Sequence, residues 1–381
     1  MEKLKSAIPV LNQLKSAGYE AYIVGGAVRN HLLQLPISDV DITTSALPDE
    51  VEALFERTVP IGKEHGTVMV ILNGTFEVTT FRVDGEYEDH RRPDTVIFVR
   101  DLKEDILRRD FTVNAMALDE NMSVIDYTGG QDDLKKRLIR AVGDAETRFT
   151  EDALRMIRAA RFQSVLDFSI EEKTQQAIEI CAPLIAHVAI ERIIVEIQKL
   201  LNGPKPSAGI ATLTASGLVK HLPYFREWQE MLKLEIPLSL EIYIAFHIYK
   251  GYADIEGIKS LKLSNDSYRA VKQAVMVLQQ LEQQEEYMME RLVYHYPLSM
   301  IQSCQTLVGH QADASDYAQH RIIHRRQDIK VNGNDLMKHL DRSSGSWLKN
   351  MLAEIEDAII TGQLKNQRDS ILKWVEQHGK I

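Results

Sequence analysis

The sequence predicts an α+β fold: a mixed α/β N-terminal part built around a β-sheet, followed by an all-α remainder. Two observations carry this. Up to about residue 143, strand-like and helical runs alternate and include a hairpin signal; from residue 144 the β signals almost vanish and helical periodicity runs to the C-terminus. A chain of 381 residues is too long for one small core, and the usual domain size gives roughly two to four domains. Breaks at Asn202-Gly203-Pro204-Lys205-Pro206 and near Val331-Asn332-Gly333-Asn334 set the expected division into 1–143, 144–203, 204–320 and 321–381.

In chain order, Met1-Glu2-Lys3-Leu4-Lys5-Ser6 opens an amphipathic helix instead of a signal peptide. No run of about 18 apolar residues follows anywhere, so the expectation is a cytoplasmic protein without a membrane partner. Tyr22-Ile23-Val24-Gly25-Gly26-Ala27-Val28-Arg29 reads as a buried strand, a glycine turn and a short helix, and Ser38-Asp39-Val40-Asp41-Ile42 as a second strand. Alternate residues of a strand share a face, so Asp39 and Asp41 point one way while Val40 and Ile42 point the other. Two hard oxygen ligands on rigid backbone suit Mg²⁺, and two such ions can clamp the attacking and leaving oxygens of a nucleotidyl transfer. The adjacent glycines let backbone approach a triphosphate closely. Each half alone has a plainer reading, a solvated Asp-x-Asp loop or an ordinary turn. Together they point to a metal-dependent nucleotidyltransferase.

Val68-Met69-Val70-Ile71-Leu72 and Phe76-Glu77-Val78-Thr79-Thr80-Phe81-Arg82 flank Asn73-Gly74, a strong hairpin signal. Glu77, Thr79 and Phe81 are expected to face one way, and Glu77 is either a third acid near the metals or an ordinary exposed glutamate. The charged stretch from Asp84 to Pro93 is expected to be a mobile loop. Cys181 and Cys304 lie far apart with no zinc-like spacing, so both are expected to be buried thiols. With 45 basic against 55 acidic residues, bulk charge does not favour nucleic acid, and any RNA contact must use local patches. Candidates are Lys135-Lys136-Arg137 with Arg140, and Arg321 with His324-Arg325-Arg326, each with a solvated helix face as the alternative.

The segment Thr150-Glu151-Asp152-Ala153-Leu154-Arg155-Met156-Ile157-Arg158-Ala159-Ala160-Arg161-Phe162 starts with a capping residue and acids. At helical spacing Asp152, Arg155, Arg158 and Arg161 spread over one half, while Ala153, Met156, Ile157 and Ala160 cluster on the other. The plain reading is an amphipathic helix with an Asp152–Arg155 ion pair. The richer one is a recognition edge. Cytosine and adenine each present an amine donor beside a ring-nitrogen acceptor, which an acid and a guanidinium can pair. Guanine and uracil present the opposite order, and each unpaired group costs about 1–3 kcal/mol.

These motifs together resemble the bacterial class II CCA-adding enzymes, tRNA nucleotidyltransferases of the DNA polymerase β superfamily. Gly25-Gly26-Ala27-Val28-Arg29 with Asp39-Val40-Asp41 is similar to the family's metal motif, and Arg108-Arg109-Asp110-Phe111-Thr112-Val113-Asn114-Ala115-Met116-Ala117 to its ribose motif. Gly129-Gly130-Gln131-Asp132-Asp133-Leu134 resembles a link between domains, Glu151-Asp152 to Arg161-Phe162 the nucleotide-reading motif, and Ile190-Glu191-Arg192 to Leu200-Leu201 the helix closing the neck. Val331-Asn332-Gly333-Asn334-Asp335-Leu336 is similar to an element of the tail. The resemblance implies a nucleotidyltransferase head with helical neck, body and tRNA-binding tail. It implies Mg²⁺ on Asp39 and Asp41, the triphosphate and sugar on Gly26, Arg29 and Arg109, the base on Asp152 and Arg155, and Arg158 and Arg161 supporting that pocket. ATP, CTP and tRNA are the implied partners, and a homo-oligomer stays open. Asn30 departs from the acid usual after the arginine, which removes an ion pair or helix contact and no metal ligand. Enzymes that add only CC or only A, poly(A) polymerases and a non-catalytic RNA-binding scaffold remain as alternatives. The loop from Asp84 to Pro93 favours full CCA addition, and intact Asp39, Asp41 and Arg109 disfavour the scaffold.

Overall fold

In the computed structural model, which describes residues 2–84, 96–283 and 285–378, the glycine turn and the acid pair sit where a sheet, a short helix and a loop meet. Helix α1 (Glu2–Ser16) buries Leu4, Ala7, Val10, Leu11 and Leu14, the stripe expected of an amphipathic helix. Then come β1 (Ala21–Val24), α2 (Gly26–Leu32), β2 (Asp41–Thr44), α3 (Pro48–Leu54), β3 (Thr58–Gly62), β4 (Thr67–Ile71) and β5 (Thr75–Thr80). A small antiparallel pair, β6 (Arg82–Asp84) and β7 (Val96–Phe98), precedes α4 (Leu102–Leu107), β8 (Met116–Leu118) and β9 (Val124–Asp126). The expected loop from Asp84 to Pro93 lies, from residue 85 on, outside the described residues.

The main sheet has the order β3-β4-β5-β2-β1-β8-β9. Every pairing is antiparallel except β2 with β5, so the sheet is mixed, as an α+β head requires. The hairpin forms with Ile71 opposite Thr75 and Asn73 at φ 52°, a turn conformation that asparagine tolerates. Its loop is therefore three residues long, one more than the Asn-Gly signal implies. Just past the end of β5, Phe81 is fully buried against Tyr22, Val24, Leu102, Ile106 and Ala117; Val24 and Glu77 both lie in register with Asp41, so Phe81 packs on the sheet face that Glu77 shares, although Glu77 itself is exposed.

Beyond the sheet come α5 (Gly130–Lys136), β10 (Leu138–Ile139), α6 (Ala145–Glu151), α7 (Leu154–Leu166), β11 (Ser169–Ile170), α8 (Glu172–Cys181), α9 (Ile190–Leu201) and α10 (Pro206–Ala215). β10 and β11 pair in parallel, joining residues on either side of position 143. Residues Met1–Pro237 with Ser260–Lys262 form one compact unit; Leu238–Lys259 with Leu263–Ile381 form a second. The second unit is helical: α11 (Leu240–Tyr249), α12 (Asn265–Gln283), α13 (Met288–His295), α14 (Leu298–Val308), α15 (Ala314–Gln319), α16 (Gly333–His339), α17 (Ser346–Ile360) and α18 (Arg368–His378). Part of its core gathers Val331, Leu336, Met351, Ile355, Ile359, Ile371 and Val375. Asn332 caps α16 by accepting the N–H groups of Asn334 and Asp335. Cys181 and Cys304 are buried and free. Among the described residues no helix is long and apolar enough to cross a membrane.

Candidate active site

β1 and β2 run antiparallel with Val24 opposite Asp41, which sets Gly25 beside the acid. Gly25 has φ 73° and ψ −138°, a backbone conformation strained for any L side chain. A Cβ there would lie 3.6 Å from Asp41 Oδ2 and 3.7 Å from an Arg109 guanidinium nitrogen, so the turn, the acid and the arginine meet at one point. The strand expected from residue 38 begins only at Asp41, because β1 ends opposite it and the chain turns away at Gly25. Asp39 lies in the lead-in. The alternation nevertheless holds: Asp39 and Asp41 are exposed while Val40 and Ile42 are buried.

Parallel pairing puts Glu77 in register with Asp41. Although Asp41 keeps accessible surface, the protein packed around its carboxyl group desolvates it and, with Glu77 and Asp39, pushes the carboxyl above its ordinary range, with Arg109 opposing. Crowded carboxylates are a donor set that a hard divalent cation would relieve. Among the described residues no three His, Cys, Asp or Glu side chains gather as a ready-made cage. Asp39 and Asp41 remain as hard oxygen donors of the kind a divalent cation takes, the rest of its shell being open to water and phosphate.

Arg29, on α2, is buried, and its guanidinium donates to the amide oxygens of Asn30 and Asn114. Asn30 thus keeps a hydrogen bond at the position where an acid would have formed an ion pair, and its own amide donates to Pro36 O. Burial, then the neighbouring charge of Arg161, lowers Arg29 to about 10, and burial with Arg158 does the same to Arg161. Both remain cationic at neutral pH. Arg109 binds the fully buried Asp105 at 3.0 Å, and its Nε is a buried donor without a hydrogen-bond partner.

The arginine-rich segment differs from one continuous helix. α6 stops at Glu151 and α7 starts at Leu154; the N-cap of α6 is Asp144, not Thr150. Asp152 stands in the break because its Oδ1 accepts the Leu154 N–H at 3.1 Å, a local bond that competes with helix continuation. Its Oδ2 accepts from Arg192 of α9 at 2.9 Å. Arg155 is 2.7 Å from Glu151 and donates to the carbonyls of Arg148 and Arg108. Arg158 donates through Nε and a terminal nitrogen to Asp110. Burial raises the Asp110 carboxyl, but Arg158 more than offsets this and holds it down at about 2. Arg161 Nε approaches Glu196 to 3.0 Å. The rings and charges converge on Phe162, which has the guanidinium carbons of Arg29, Arg158 and Arg161 within 5.4, 5.5 and 4.0 Å of its centroid. On the other face, Ala153, Met156, Ile157 and Ala160 are fully buried as expected.

One cleft of about 610 Å³ is lined by Gly26, Arg29, Asp39, Asp41, Arg109, Asp152, Arg155, Arg158 and Arg161 together. It also takes in Arg108, Asp110, Asn114, Phe162, Arg192 and Lys199, which the sequence placed within the ribose, nucleotide-reading and neck motifs without an individual role. The signal available for the last two was the spacing Arg192, Glu196, Lys199 on one face of α9. The cleft thus combines carboxylates with a cluster of arginines, a lining able to take a polyanion. The two surface patches are largely compensated: Lys135, Arg137 and Arg140 pair with Asp132, Asp167 and Asp133, and Arg325 and Arg326 with Asp328 and Glu356.

Comparisons with known proteins agree along the whole chain. A family model described as Poly A polymerase head domain matches residues 21–140, and a model of tRNA nucleotidyltransferase domain 2 matches residues 241–375. The CCA-adding enzyme of Staphylococcus aureus (strain Newman) is 41% identical, over 99% of this chain and 98% of its own. That of Staphylococcus epidermidis is 39% identical over 100% and 99%. The crystal structure of the Bacillus stearothermophilus CCA-adding enzyme in complex with CTP superposes with a TM-score of 0.87 at 35% identity, covering 100% of this chain and 98% of that one. The chain belongs to the CCA-adding enzyme family of tRNA nucleotidyltransferases.

Proposed function

We propose that this cleft builds the C-C-A end of tRNA in the cytoplasm, one nucleotide at a time from CTP and ATP and without a template, with Mg²⁺ held by Asp39 and Asp41. The observation that carries the reading is the joining of the acid pair and the Asp152 edge in one cleft. In each step the primer 3′-oxygen attacks the α-phosphorus, the bond to the β-phosphate breaks, pyrophosphate leaves and the hydroxyl proton passes to solvent. When bound, divalent ions supply Lewis acidity at the attacking oxygen and the phosphoryl charge.

The chain's own side chains do the rest. Arg29 and Arg109 neutralise the triphosphate, a role suited to Arg29 because its three side-chain hydrogen bonds go to the neutral amides of Asn30 and Asn114. Gly25 and Gly26 keep the wall thin where phosphate approaches. Asp152 accepts the amine of cytosine or adenine and Arg155 donates to the ring nitrogen, while Arg158 and Arg161 stiffen the pocket through Asp110 and Glu196. Residues 1–143 are the catalytic head, 144–203 the base-reading neck, 204–320 the body, and 321–381 the tail that grips tRNA. Asp39→Ala is expected to reduce incorporation by on the order of a thousandfold, the loss of several kcal/mol of metal stabilisation, with tRNA affinity nearly unchanged. Retained turnover in that variant rejects the metal assignment.

A further inference from the structure

We propose that Arg192 is a positioning residue for base selection, holding the Asp152 carboxylate in the orientation from which it reads an amine edge. This rests on the role given to Asp152 above. Asp152 occupies the break between α6 and α7, so no continuous helix fixes its side chain. Two contacts from different elements do: Oδ1 accepts the Leu154 N–H at 3.1 Å, and Oδ2 accepts from Arg192, in the first turn of α9, at 2.9 Å. A carboxylate held through both oxygens resists rotation about Cβ–Cγ, yet each oxygen has a second lone pair for a substrate amine. Without Arg192 only the Oδ1 contact is left of these two, and the group can turn. An acid that turns away from the carbonyl of uracil or guanine makes the wrong base less costly.

The rest of α9 supports this placement. Glu196, one turn on, lies 3.0 Å from Arg161 and 4.0 Å from Arg158, and Lys199 lies 3.7 Å from Glu196. The face of α9 toward α7 is thus a row of alternating charges that registers Asp152 and the arginines together. Arg192 also lines the cleft itself, so a direct contact with sugar or phosphate is the competing role, and the experiment separates the two.

The test measures kcat/KM for CTP against UTP on tRNA ending at the discriminator base, and for ATP against GTP on tRNA ending in CC. The enzymes are wild type, Arg192→Gln, Arg192→Lys, Asp152→Ala and the Asp152→Ala/Arg192→Gln double variant. Each ratio is taken on one enzyme sample, so an unfolded fraction cancels. Arg192→Gln is expected to lower both preferences about tenfold, equivalent to about 1.4 kcal/mol. Arg192→Lys falls between it and wild type, and the double variant is no less selective than Asp152→Ala. Equal rises in KM for all four nucleotides with ratios unchanged overturn the proposal, as does a double variant whose losses add. Loss of selectivity in Asp152→Ala with none in Arg192→Gln overturns the positioning role alone. Unchanged selectivity in Asp152→Ala rejects the reading of Asp152, and the role of Arg192 with it.

Discussion

Replacing Asp110 by asparagine tests the electrostatic frame beneath the cleft. Asp110 is buried and takes two N–H donors from Arg158, the Phe111 N–H at 2.8 Å and the Asn114 amide at 3.4 Å. Its carboxyl is held at about 2 against an ordinary value of 3.8. A group depressed in the folded state stabilises above the unfolded value and loses that contribution as pH falls through the folded one, here between about 3.8 and 2. The shift corresponds to on the order of 2 kcal/mol at neutral pH. The substitution would also leave Arg158 without its closest acid, and breaking a buried pair from one side typically costs about 3–5 kcal/mol. The Arg158 side chain keeps 32% of its surface exposed, so water takes part of the load and the loss sits at the low end, about 3 kcal/mol. For a unit of this size that is roughly 6–12 °C in Tm. Circular dichroism melts of Asp110→Asn, Arg158→Gln and the double variant form a cycle in which the double variant should recover part of the single losses. A fall below about 2 °C for Asp110→Asn, or strict additivity, refutes the reasoning.

Gly25→Ala is expected to lower kcat at least about tenfold, because the strained φ and ψ at this position cost an alanine about 1–3 kcal/mol and the turn must shift beside Asp41 and Arg109; unchanged single-nucleotide kinetics contradict this. His247, fully buried on α11 and contacting the Tyr243 carbonyl at 2.8 Å, is lowered to about 4 by burial despite that bond. Its unfolded form takes up a proton below about 6.5, so the stability of the second unit is full above that pH and falls by about 3 kcal/mol toward pH 4. His247→Phe should flatten that part of the Tm profile, and an identical slope in the variant rules the explanation out.

The glycine turn, the acid pair and the hairpin were legible because each is a local pattern whose period or turn chemistry a few residues define. The alternation Asp39, Val40, Asp41, Ile42 survived even though the strand itself starts late, since sterics fix the pattern and only the neighbour decides where pairing begins. The break at Asp152 was not legible. Residues 145–166 keep helical periodicity across it, and it arises from one side-chain oxygen accepting a backbone N–H two residues on. The partners of the arginines were hidden for another reason: Asp152–Arg192 and Arg158–Asp110 join positions 40 and 48 residues apart, which no sequence periodicity reports. β10 and β11, two residues each, are too short to show alternation.

Product sequencing tests the central claim most directly. The protein, with Mg²⁺, is given tRNA ending at the discriminator base, at +C or at +CC, with each nucleotide singly and then CTP with ATP. The predicted result is C-C from CTP alone on the shortest primer, a single A from ATP on the +CC primer, and complete C-C-A only with both. A long A tail, arrest after CC when ATP is present, or acceptance of UTP or GTP at comparable efficiency would contradict it.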